Sequence, residues 1–155
     1  RTEAPSAVGP EEADPQFDAA LRVLVADDNP TNRLVIRTLL EQVGIEIVAV
    51  DSGTAAIEAW EAGAWSAILM DIHMPGMDGL EATQRIRARE QALGRARIPI
   101  IAVTASVLSH ETDAYFAAGM DDFIAKPIEL SRLLSILQDC LNRGAGDGPT
   151  EAAVA

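Results

Sequence analysis

The 155 residues suffice for one domain with a full-sized core, and 48% apolar content with only 4% aromatics makes that core mainly aliphatic, as buried parallel strands and packed helices require. A net charge of −12 excludes a broad nucleic-acid surface. The single cysteine, Cys140, excludes an intrachain disulfide, and no apolar stretch approaches the roughly 18 residues of a membrane span.

Residues 1–20, rich in Ala, Pro and Glu, are expected to form a flexible linker. They lack the apolar segment of a signal peptide, so a cytoplasmic location is expected. The chain opens on Arg1 without an initiator methionine, which leads to the expectation of a piece of something larger. The first strand is expected over 21–26 and ends in Asp27-Asp28. Asn29 as cap and Pro30 in the first turn then open a helix over 30–43. By spacing it buries Val35, Ile36, Leu39, Leu40 and Val43, and leaves Leu34 off that stripe, close to the acidic pair. Gly44 stops it. A second strand near 45–50 leads to a helix over 53–62 that ends at Gly63, with Trp60 and Trp65 packing it against the sheet.

A third strand near 66–71 ends on Asp71. Asp78 and Gly79 read as a turn and the start of a helix over 79–92. The basic stretch Arg89 to Arg97 is long for the loop that follows, and reads either as an insertion or as a contact with other domains. A fourth strand near 98–104 ends on Thr104 and precedes a helix over 107–118, in which His110 is solvated and which Gly119 stops. The fifth strand, near 122–126, ends on Lys126, the only lysine among 12 basic residues. In the last helix, over 129–142, Leu130, Leu133, Leu134, Leu137 and Leu141 recur at helical spacing, and Cys140 reads as a small apolar residue. Residues 144–155 are expected to be a disordered tail. Repeated strand–helix units imply an α/β domain over 21–143, with five parallel strands and helices on both faces of a doubly wound sheet.

In such a sheet Asp27, Asp28, Asp71, Thr104 and Lys126 all reach the carboxyl edge, where sites form. Any one of them alone could be a cap or a turn residue. Their recurrence at the same point of successive units argues for a site. Converging carboxylates call for a cation, and hard oxygen ligands with open positions suit Mg²⁺, with Mn²⁺ as a substitute. Asp71 beside that ion has the chemistry of a nucleophile toward phosphorus, forming an acyl phosphate. The metal and a lysine would balance the charge on the transferring phosphoryl group. The Thr104 hydroxyl would donate to one of its oxygens, and the small Ala105 would leave room for a phosphodonor.

These residues lie in four stretches: Val23-Leu-Val-Ala-Asp-Asp-Asn-Pro30, Ile68-Leu-Met-Asp-Ile-His-Met-Pro-Gly-Met-Asp-Gly-Leu-Glu-Ala-Thr83, Ile101-Ala-Val-Thr-Ala105 and Ala118-Gly-Met-Asp-Asp-Phe-Ile-Ala-Lys-Pro127. Together, in this order, they resemble the receiver domain of two-component response regulators over roughly residues 21–142. The stretch around Asp71 is most like receivers attached to hybrid sensor histidine kinases. The resemblance implies the flavodoxin/CheY-like (βα)5 fold and phosphorelay signalling, with Asp71 accepting a phosphoryl group from a phosphohistidine on a histidine kinase core or histidine phosphotransfer domain. It implies that Asp28 is the direct Mg²⁺ ligand and Asp27 its neighbour, often acting through water. The backbone carbonyl of His73 matches the third protein ligand. Lys126 matches the lysine that pairs with the phosphoryl group, Thr104 the hydroxyl that turns toward it, and Phe123 the aromatic switch position. The Lys126–Pro127 peptide matches a bond usually cis in the family, although cis X–Pro bonds are a small minority overall. His73 and Ser106 would flank the attacking water and tune the phosphoryl lifetime. Leu34 reads either as a lone exposed leucine or as a docking contact for the helical donor.

Other readings stay open at this point. One is a stand-alone single-domain response regulator. Another is an aspartate-nucleophile phosphatase of the haloacid dehalogenase type, which typically carries a second aspartate where His73 stands here. A flavin-binding domain would want a Ser/Thr/Gly-rich phosphate loop after the first strand, which Asp28-Asn-Pro-Thr is not. A degenerate receiver would have lost one of the acids, Thr104 or Lys126.

Overall fold

The computed structural model describes residues 21–105 and 108–145; the expected linker, most of the expected tail and Ser106 lie outside them. The elements alternate as β1 (Arg22–Ala26), α1 (Pro30–Glu41), β2 (Glu46–Val50), α2 (Gly53–Ala62), β3 (Ala67–Asp71), α3 (Gly79–Leu93), β4 (Ile100–Thr104), α4 (Ser109–Ala118), β5 (Asp122–Ala125) and α5 (Leu130–Ala145). The strands form one parallel sheet in the order β2-β1-β3-β4-β5. The helix α5 carries on to Ala145, three residues past its expected end at 142.

Strand periodicity divides the core in two. Leu24, Ala26, Ile68, Met70, Ile100 and Ala102 face one side, with Ala56 and Trp60 of α2, Ala82 and Ile86 of α3 and Tyr115 of α4. Val23, Val25, Leu69, Ile101, Val103 and Ile124 face the other, with Ile36 and Leu40 of α1 and Leu133, Leu137 and Cys140 of α5. Successive side chains on a strand point to opposite faces, so a sheet covered on both sides reads as unbroken apolar runs. Each fully buried Leu or Ile contributes about 1.5–3 kcal/mol to holding these layers together.

Local chemistry sets the element ends. The Asn29 side chain accepts hydrogen bonds from the Thr31 and Asn32 amides, with Pro30 at the first helical position. Asp78 caps α3 by accepting from the Glu81 amide at 2.9 Å. Gly44, Gly94 and Gly119 take left-handed conformations after helices, whereas Gly63 ends α2 in an extended one.

One expectation about α1 is corrected. Val35 is 44% exposed, not buried. Successive helical residues are about 100° apart, so Ile36 and Leu40 take the inward direction and Val35 turns toward the α1 edge, with Leu39 and Val43 half-buried.

The basic stretch 89–97 is folded onto the body. Its first part continues α3, and Gly94 ends the helix. Arg95 lies over the Trp60 ring at 4.2 Å and donates to the Trp60 and Gly63 carbonyls. Arg89 pairs with Glu61, and Arg97 with Asp121. At the same end of the sheet, Arg87 joins Glu90, Asp121 and the Gly119 and Ile98 carbonyls. Asp121 and Glu90 in turn accept from the Ile100 and Ile98 amides. This polar network ties the end of α3 to the starts of β4 and β5.

Candidate functional site

The strand order reverses between β1 and β3, and ligands of open α/β sheets bind at such a point beyond the strand ends. Ala26 is paired with Met70, so the residues that follow, Asp27 and Asp71, leave the sheet side by side. Asp28 completes the group: carboxylate oxygens of Asp27, Asp28 and Asp71 lie within 4.8 Å of one another. From the other side, the β4–β5 pairing of Thr104 with Ala125 brings Lys126 to the same edge. The Lys126 amide donates to the Thr104 carbonyl at 2.8 Å, and its ammonium stands 3.3 Å from Asp71 and 3.7 Å from Asp27. The Lys126–Pro127 peptide is cis.

The two acids that the strands deliver are deeply buried, Asp27 at 1% exposure and Asp71 at 3%, while Asp28 is exposed. One oxygen of Asp27 accepts from the Asn29 amide, and the other, Oδ2, is buried without a hydrogen-bond donor among the described residues. Its nearest cation is the Lys126 ammonium at 3.7 Å, beyond hydrogen-bond reach, and a buried charged oxygen without a hydrogen bond is costly. With two more carboxylates beside it, this is the donor set a hard divalent cation fits. Burial above all, then the Asp27 charge, pushes the Asp71 carboxyl above its ordinary pKa; Lys126 and the His73 amide pull the other way.

The remaining expected residues divide between this edge and the rest of the fold. His73 has an exposed side chain, and its backbone amide donates to Asp71 at 3.4 Å. His110 is exposed in α4. Trp60 is buried against the sheet, and half-buried Trp65 donates to the Ala59 carbonyl beneath the Arg22 guanidinium. Thr104 is fully buried. Phe123 is half-buried, with its ring edge-on to Tyr115 and Phe116 at 6.4 and 6.1 Å. Leu34 is 62% exposed on α1. Beside it Val35 lines, with Asn32, Lys126, Pro127 and Ile128, a recess of about 140 Å³ that reaches Asp27.

Sequence reasoning missed Tyr115, whose hydroxyl is 2.9 Å from the Thr104 hydroxyl. A signal was present. Thr112, Tyr115 and Ala118 share the inward stripe of α4, and a buried tyrosine needs a polar partner for its hydroxyl.

The response regulator receiver domain family matches this chain over residues 23–138. Sensor protein GacS of Pseudomonas syringae pv. syringae is 43% identical over 134 residues, which is 86% of this chain; the chain spans 15% of the length of that relative. Among solved structures, the receiver domain of sensor histidine kinase PA1611 from Pseudomonas aeruginosa PAO1 is 37% identical with a TM-score of 0.71, covering 79% of this chain and 98% of that one. That structure has a magnesium ion coordinated in its active-site cleft. The receiver domain of Ssk1 from Saccharomyces cerevisiae, in complex with the histidine phosphotransfer protein Ypd1, is 27% identical with a TM-score of 0.73, covering 77% of this chain and 87% of that one.

Proposed function

This chain belongs to the response regulator receiver domain family, and on that premise we propose that it accepts a phosphoryl group from a phosphohistidine onto Asp71, as the receiver segment of a hybrid histidine kinase. One observation carries the reading: a buried carboxylate at the end of a central strand has an ammonium at 3.3 Å and two further carboxylates within 4.8 Å. That is the charge pattern of a nucleophile awaiting a phosphoryl group and a cation.

Asp27, Asp28 and Asp71, with the His73 backbone carbonyl, would hold Mg²⁺, or Mn²⁺ in its place. What a bound cation supplies is neutralisation of charge on the phosphoryl oxygens. The chain does the rest. A carboxylate oxygen of Asp71 attacks phosphorus, and the P–N bond to the donor imidazole breaks with its electron pair leaving on nitrogen, so an acyl phosphate forms. Lys126, already placed between Asp71 and Asp27, holds a phosphoryl oxygen. Thr104 turns toward the new group, and Phe123 moves inward behind it. The added group carries nearly two negative charges, and it shifts the population only by stabilising the active arrangement more than the resting one.

The donor is a histidine kinase core or a histidine phosphotransfer domain. The exposed Leu34 and Val35, beside the recess at Lys126 and Pro127, would receive its helical surface. The reading puts this segment in the cytoplasm, where the nucleotide that charges a histidine is found. Intact-mass spectrometry after incubation with acetyl phosphate and Mg²⁺ tests it. One added phosphoryl group is expected, absent in Asp71→Asn and in EDTA. Labelling that persists in Asp71→Asn would overturn the assignment.

A further inference from the structure

We propose that Tyr115 is a positioning residue for the phosphorylation switch, a latch on α4 that holds Thr104 in its resting arrangement and links its release to Phe123. The inference rests on the phosphoacceptor reading above and adds a residue to it. Tyr115 touches both proposed switch residues. Its hydroxyl is 2.9 Å from that of Thr104, and its ring meets Phe123 edge-on at 6.4 Å. Both hydroxyls lie in buried side chains, Thr104 at the end of β4 and Tyr115 in the layer that α4 packs against the sheet.

The energetics follow from that burial. If Thr104 turns toward a phosphoryl group on Asp71, it leaves Tyr115. The active state then gives up a buried hydrogen bond that the resting state keeps. Losing that bond costs the active state what the bond is worth, so the bond biases the equilibrium toward rest. The ring contact gives the same event a second consequence. A tyrosine released by Thr104 can shift against Phe123, which the exposed ring of Phe116 also meets edge-on at 6.1 Å. Thr104, Tyr115 and Phe123 therefore form one contact chain from the strand edge to the surface of α4. Removing the Tyr115 hydroxyl while keeping its ring takes away the bias and leaves the packing.

Beryllofluoride with Mg²⁺, a stand-in for the phosphoryl group on Asp71, tests the latch. Its affinity is measured by titration calorimetry for the wild-type chain, Tyr115→Phe, Thr104→Val and the double variant. Tyr115→Phe should bind about 2- to 10-fold more tightly, the factor one neutral hydrogen bond provides, and this gain should vanish in the Thr104→Val background. Unchanged or weaker binding by Tyr115→Phe, or an equal gain with Thr104→Val, overturns the latch. Should the wild type itself fail to bind, the phosphoacceptor reading falls and the latch with it. A second readout needs no change at Tyr115. It is the only tyrosine, so a chain labelled at tyrosine Cζ gives one carbon resonance. That resonance should move when beryllofluoride is added and should already be displaced in Thr104→Val. A resonance unmoved in both overturns the proposal.

Discussion

Gly79 begins α3 directly against the backbone carbonyl of Asp71, so closely that a Cβ at residue 79 would overlap that oxygen. The Gly79 amide also donates to the Ile72 carbonyl at 3.0 Å, which locks the helix start onto the end of β3. Gly79→Ala must therefore push α3 and the Asp71 backbone apart. A loss of about 1–3 kcal/mol is expected, typical of overpacking, together with slower acetyl phosphate labelling of the folded fraction. Denaturant unfolding and intact-mass kinetics measure the two effects, and an unchanged unfolding midpoint would contradict the contact.

Asp71 destabilises the metal-free fold when it is ionised, because burial and Asp27 disfavour its charge. A carboxyl with a raised folded pKa contributes its stability in full below the unfolded value and loses it as pH rises through the folded one. Metal-free Asp71→Asn should thus melt above the wild type at neutral pH, by about 3–6 °C if roughly 1 kcal/mol is relieved, and the gap should close as pH falls toward the carboxylate range. Mg²⁺ should raise the wild-type melting temperature more than that of the variant. Thermal melts from pH 4 to 8, with and without Mg²⁺, decide it.

Lys126 is a compact cation serving two buried carboxylates at 3.3 and 3.7 Å. The planar guanidinium of Lys126→Arg keeps the charge but cannot occupy the same point. Labelling by acetyl phosphate should slow by roughly 10²-fold in Lys126→Ala, the scale of losing one stabiliser of developing charge, and be only partly recovered in Lys126→Arg. Equal rates in arginine and lysine forms would show that charge alone matters there.

Leu34 presents an apolar side chain to solvent beside the site. Leu34→Asp should slow transfer from a phosphorylated histidine donor by roughly tenfold, about 1.4 kcal/mol of docking, while leaving acetyl phosphate labelling intact. Slowing of both reactions would point to a folding defect.

Arg87 has a purely structural task at the opposite edge of the sheet. Its side chain is nearly buried and pairs with Glu90 and Asp121. Arg87→Ala leaves the buried Glu90 without its cation and Asp121 with Arg97 alone, and a loss of about 3–5 kcal/mol is expected. Because Thr104 and Lys126 lie at the other ends of β4 and β5, the labelling rate of the folded protein should not change.

The unbroken apolar runs between helical repeats determined by themselves that the sheet is parallel and covered on both faces, since a strand buried on two sides cannot alternate polar and apolar residues. The same runs placed Asp27, Asp71, Thr104 and Lys126 at one edge, because each residue ends or follows its strand. Tertiary structure alone decided the rest. Val35 has the residue type of a core position, yet it faces outward because Ile36 and Leu40 hold the inward direction of α1. Arg95 and Arg97 belong to a stretch that reads as an insertion or a contact with other domains, but Trp60 and Asp121, distant in sequence, receive them. Tyr115 reads as one more inward helix residue until α4 packs onto β4 and sets its hydroxyl against Thr104. Periodicity tells which way a side chain faces along its own element; which group it meets depends on how the elements pack across the sheet.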